Sequence, residues 1–137
     1  MKMWVKVALA TAGAAAIAGC SSKTAGPAAV ITLKTEGYAF DQKELKLEKG
    51  KTYELVLDNK DVQLHDFSID KIAVKAEHGN DDHGHDMSGK QPDLHVAADA
   101  GKSGKITFTP TASGTFDFYC TVAGHKEAGM VGKMIVK

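Results

Sequence analysis

The run Tyr119-Cys120-Thr121-Val122-Ala123-Gly124-His125-Lys126-Glu127-Ala128-Gly129-Met130 gathers a thiol, an imidazole and a thioether, spaced C-x4-H-x4-M. A second imidazole, His65, lies far upstream in an apolar, strand-like setting. Two His, one Cys and a weak axial Met are the donor set of a mononuclear blue copper centre that passes electrons. Soft sulfur selects copper over hard cations, and imidazole suits copper as well. A Cys ending a strand, followed by a loop that folds back, would bring the His and the Met to the same point. Gly124 and Gly129 directly precede the two later donors, and glycine permits the backbone conformations a tight fold needs. Met130 is expected to be the axial donor rather than Met134, which falls in a closing strand, or Met87, which falls in a polar segment.

Other chemistries fit these residues less well. A binuclear copper centre needs two bridging thiolates, and beyond the leader this chain has only Cys120. A multicopper oxidase needs His on both sides of its Cys, whereas Tyr119 and Thr121 stand there. A structural zinc site usually has more thiolates or no Met. A Cys–His nucleophile would need an orienting Asn or Asp and a substrate pocket, and would leave Met130 without a role. A copper carrier that hands over metal rather than electrons remains an alternative. The His-rich stretch described below favours it slightly, while a buried, preformed site argues against it.

The elements that must position these donors read as β-structure. Strands are expected at Val30 to Thr35, within Tyr38 to Leu47, at Thr52 to Leu57, Gln63 to Ile69, Leu94 to Ala97, Lys105 to Thr109, Thr115 to Tyr119 and Lys133 to Val136. Glu48-Lys49-Gly50-Lys51, Asp58-Asn59-Lys60-Asp61 and Ala100-Gly101-Lys102-Ser103-Gly104 read as turns between them. Short strands at regular spacing indicate a β-sandwich or barrel. Only Ile72 to His78 could form a turn or two of helix. His95 sits in an apolar alternating strand and reads as structural. Residues 77–93 differ in composition: His78, His83, His85, Asp81, Asp82, Asp86 and Met87 leave little to bury. They read as an exposed loop whose histidines could form a secondary metal site.

The chain resembles the cupredoxins, within them the auracyanin-like, azurin-like and plastocyanin-like proteins, from about Val30 to Lys137. The motifs that carry the likeness are LHDFSID around His65, GKITFTPTASGTFDFYC leading to Cys120, and CTVAGHKEAGMVGKMIVK to the end. The resemblance implies an all-β, Greek-key sandwich of about eight strands with one type 1 copper at one end. By motif position His65, Cys120, His125 and Met130 match the copper ligands, with Asp66 and Thr121 beside them. It implies one-electron shuttling rather than catalysis, with partners such as a cytochrome or terminal oxidase, and a monomeric domain. Many members carry Asn directly after the first His, where it braces the ligand loop. This chain has Asp66, whose carboxylate could accept a backbone N–H in the same way and would add negative charge near the copper.

Composition bounds the rest. The 137 residues fit one domain plus a leader. There is no Arg, which argues against nucleic-acid or phosphate recognition. Residues 1–19 read as an export signal: Lys2 and Lys6, then the apolar run Val7 to Ala18, too short for a comfortable membrane span. The signal closes with Ile17-Ala18-Gly19-Cys20, which resembles the lipobox of bacterial lipoproteins and implies lipidation of Cys20. Beyond the leader 15 Lys face 17 acids, a mildly acidic −2. Residues 20–29 then form the lipidated Cys and a polar linker. The linker SSKTAGPAA reaches up to about 30 Å when extended. The domain, 30–137, is therefore expected outside the cytoplasm, in the periplasm or at the outer cell surface, tethered to a membrane.

Overall fold

A computed structural model describes residues 28–77 and 91–137. The leader with Cys20, and His78, His83, His85 and Met87, lie outside the described residues. The described residues form ten strands: β1 (Ala29–Glu36), β2 (Ala39–Phe40), β3 (Glu44–Leu47), β4 (Tyr53–Asn59), β5 (His65–Ile69), β6 (Val74–Glu77), β7 (Leu94–Ala98), β8 (Ser103–Pro110), β9 (Gly114–Tyr119) and β10 (Val131–Val136). They make two five-stranded sheets, ordered β2-β1-β4-β8-β6 and β3-β10-β9-β5-β7. The chain crosses repeatedly between the sheets, as a Greek-key sandwich requires. Among the described residues no helix is long and apolar enough to cross a membrane.

Alternation builds the core. In β4, Tyr53, Leu55, Leu57 and Asn59 point inward, and in β8, Gly104, Ile106, Phe108 and Pro110 do the same. Burying each large apolar side chain contributes about 1.5–3 kcal/mol. β5 is buried along its whole length and lies between β9 and β7 in its sheet. Phe67 and Phe118 meet tilted, ring centroids 4.9 Å apart, and Phe40 meets Phe118 edge-on at 5.3 Å. Phe67 lies two residues past His65 and Phe118 two residues before Cys120, so this aromatic group packs where the donor-bearing strands meet.

The expected all-β sandwich is present, with differences of detail. The described residues form ten strands where about eight are expected, the added ones being the two-residue β2 and the edge strand β6. The described part of the segment expected to turn into helix, Ile72 to Glu77, is not helical: Val74–Glu77 is strand, paired antiparallel with Thr107–Pro110 of β8. The sheet's open edge supplies hydrogen bonds that a short, weakly periodic segment could not supply to itself. β1 begins one residue before the expected strand, with Ala29 N–H bonded to the Thr52 carbonyl at 3.0 Å.

Candidate metal centre

His65 opens β5, Cys120 follows the last residue of β9, and His125 and Met130 lie on the loop between β9 and β10. The loop closes on itself through its backbone. His125 N–H bonds the Val122 carbonyl at 3.0 Å, and Met130 N–H bonds the His125 carbonyl at 3.0 Å. Cys120 N–H bonds the Met130 carbonyl at 3.1 Å. Gly124 and Gly129 have φ of 85° and 99°, the left-handed conformations expected of them. Lys43 Nζ donates to the Gly129 carbonyl at 2.9 Å and pins the loop's far end.

The donors converge. Cys120 Sγ lies 3.5 Å from His125 Nδ1 and 4.0 Å from His65 Nδ1, and the three donor atoms fall within 4.8 Å of one another. Exposure is 0% for His65, Cys120 and Met130 and 4% for His125. His125 is therefore only marginally nearer the surface than His65. Met130 lies wholly inside. Its backbone bonds hold it to both Cys120 and His125. Met134 is equally buried but lies in β10, opposite Phe116 and Leu45.

The polar surroundings orient these groups. His65 Nε2 faces Asp61 Oδ2 at 3.3 Å, while Nδ1 is turned toward the thiol. Asp66 braces the other side, as expected: Thr121 N–H donates to its Oδ1 at 2.6 Å, and Thr121 Oγ1 donates to its Oδ2. Asp66 N–H in turn points at Cys120 Sγ from 3.5 Å. His95 Nε2 approaches Asp66 Oδ2 at 3.4 Å, so this strand histidine supports the site's periphery. Tyr38 packs edge-on against His125, ring centroids 4.9 Å apart.

Three residues of this frame are not evident from their local sequence. Asp61 and Asn59 read as turn residues, and Tyr38 as the start of a strand. Asn59 is in fact fully buried at the end of β4. Its amide donates to the carbonyls of Gln63 (2.7 Å), Ala98 (2.9 Å) and Asp99 (3.0 Å). Its carbonyl accepts from Thr35 Oγ1 (2.8 Å) and Asp61 N–H (2.9 Å). A motif of Asp four residues before the His was the available signal for Asp61.

Electrostatics follow from this packing. Burial pushes the Cys120 thiol up to about 11, and the Asp66 carboxylate adds to the effect. Burial, then the charge of His65, lowers His125 below the ordinary imidazole value. Burial pushes Asp66 up, but hydrogen bonds from His95 and Thr121 outweigh it and hold the carboxyl low. The Val62 N–H and then the His65 ring lower Asp61. Two imidazole nitrogens and one sulfur, buried and mutually close, suit a soft or borderline metal such as copper and offer no oxygen cage for a hard cation.

Comparison with known proteins agrees with this donor set. The sequence model for copper binding proteins of the plastocyanin/azurin family matches residues 28–137. A copper-resistant cuproprotein, CopI, of Rubrivivax gelatinosus is 34% identical over 109 residues, covering 79% of this chain. The chain spans 66% of that protein's length. CopI of Pseudomonas aeruginosa is 27% identical over 128 residues, 72% of this chain and 70% of the relative. Among solved structures, dithionite-reduced auracyanin from Roseiflexus castenholzii has a TM-score of 0.61 at 27% identity, covering 82% of this chain and 99% of its own. Auracyanin B gives 0.61 at 25% identity, covering 81% and 90%. With 110 residues matched end to end and a buried Cys and two His gathered at one end of the sandwich, the chain belongs to the plastocyanin/azurin family of copper binding proteins.

Proposed function

We propose that this protein is a one-electron carrier with a single copper held by His65, Cys120, His125 and Met130, and that it is not an enzyme. The observation that carries the reading is the preformed burial of the donors on a hydrogen-bonded frame. Copper, when bound, supplies the one-electron couple. The protein's part is to hold four side chains in one arrangement, so that little reorganises on each transfer, and to exclude water from the thiolate. The working place we assign is outside the cytoplasm, on a membrane tether through Cys20, between partners such as a cytochrome and a terminal oxidase. The linker would let one domain turn to meet each partner.

A second reading, copper handling for resistance, is favoured by the names of the two CopI relatives. The two make opposite predictions. A shuttle loaded with Cu(II) should show an intense visible thiolate-to-copper band, exchange electrons with a soluble cytochrome, and keep its metal. A carrier should lose copper to an acceptor apoprotein on the timescale of mixing. Rapid metal loss with negligible electron exchange would reject the shuttle. A variant Cys120→Ser that keeps the visible band would reject the ligand assignment.

A further inference from the structure

Asp61 belongs to no part of the donor motif, yet it contacts a fully buried donor. Its Oδ2 lies 3.3 Å from His65 Nε2. Its Oδ1 accepts the Val62 N–H at 2.7 Å, so the carboxylate cannot swing freely. Its backbone is fixed on both sides: its N–H bonds Asn59 Oδ1 at 2.9 Å and its carbonyl accepts Gly101 N–H at 3.1 Å. Asn59 is anchored by four further hydrogen bonds reaching β1, β7 and the chain on either side. A continuous path therefore runs Thr35–Asn59–Asp61–His65, from the floor of one sheet to the imidazole on the other.

We propose that Asp61 is a positioning residue that fixes the tautomer and orientation of His65 and, through its charge, biases the centre toward Cu(II). The inference rests on His65 being a copper ligand. A carboxylate accepting the distal N–H of a metal-bound imidazole raises the basicity of the ligating nitrogen, and loss of such a partner typically costs 10–100-fold in metal affinity. Negative charge favours the higher oxidation state, because Cu(II) carries one more positive charge than Cu(I). Asp61 thus serves two separable purposes, geometry and charge, and Asn59 serves only the first.

The separation can be measured with Asp61→Asn and Asp61→Ala. Asn is the same size and can still accept the imidazole N–H, so it removes charge while keeping orientation. Ala removes both. In metal-free protein, nitrogen-15 NMR of wild type should show His65 with Nε2 protonated and Nδ1 bare. Asp61→Asn should keep that tautomer and Asp61→Ala should lose it. With copper bound, both should raise the reduction potential; a tenfold loss of Cu(II) relative to Cu(I) binding corresponds to about 59 mV for one electron. Only Asp61→Ala should also alter the visible band. The inference is overturned if Asp61→Ala keeps the wild-type tautomer, or if Asp61→Asn leaves the potential and the Cu(II) affinity unchanged. A His65→Ala protein that keeps the blue band would instead reject His65 as a ligand. The NMR readout on metal-free protein needs no copper and so distinguishes these two failures.

Discussion

At the scale of single residues, the thiol decides how the centre fills. Burial raises Cys120 to about 11, so the metal-free protein carries a neutral thiol near neutral pH. Copper takes the thiolate, so loading must expel that proton. His125 is held below the ordinary imidazole value and is already neutral under mildly alkaline conditions. Between about pH 8 and 9 the thiol therefore dominates, with about one proton leaving per copper and apparent affinity rising about tenfold per pH unit. Titration in a weak buffer with an indicator dye checks this, and absence of release would show that the thiol is already ionised. The same shift acts on folding. A thiol whose folded value lies above its ordinary 9.0 favours the folded state below that pH. That contribution fades as pH rises toward 11, so the metal-free domain should weaken across this interval, and Cys120→Ser should weaken less.

At the scale of elements, the frame depends on close approach between the sheets. Gly104 lies in β8, and a Cβ there would collide with the Ala97 carbonyl oxygen of β7 and stand 2.9 Å from Val96 Cγ2. The obstacle is backbone, so no rotamer relieves it. Ala97 is the register partner of Asp66, so any displacement reaches the brace of the ligand loop. Gly104→Ala should cost about 1–3 kcal/mol, as overpacking does, and should also perturb the copper spectrum. Urea unfolding and the visible band check both; a stable variant with an unchanged band would show that β7 and β8 part freely. The sequence disguised this position, because Gly after Lys102-Ser103 reads as turn. What was legible had a local cause. Tyr53, Leu55 and Leu57 alternate, Phe116 and Phe118 alternate, and two glycines punctuate the donor loop. What was illegible has partners distant in sequence. Asn59 looks like a turn residue because only the folded chain brings Ala98 and Asp99 to its amide. β6 reads as a turn or two of helix rather than strand because its hydrogen bonds come from β8.

At the scale of the whole molecule, the centre sits at one end of the sandwich, and under the proposed electron-carrier role that end is the one that would meet a partner. Val62 is 86% exposed and follows Asp61, which touches His65, while Tyr38 is 50% exposed and packs on His125. On the electron-carrier reading proposed above, these two residues are where a docking face would lie, and small interfaces suit brief redox encounters. Val30 is also exposed, at 63%, but it lies at the opposite end of β1 from Thr35, which bonds Asn59. About five residues of extended strand separate Val30 from Thr35, roughly 17 Å. Electron self-exchange between oxidised and reduced copies tests the face without any partner. Val62→Lys places like charges opposite one another when two such ends meet. It should slow self-exchange several-fold at low salt, with recovery as salt screens the repulsion. Val30→Lys adds the same charge far from the centre and should leave the rate near wild type. The reduction potential should change little in either, because both side chains project into solvent. Equal rates in the two variants would show that electrons leave through another surface of the domain.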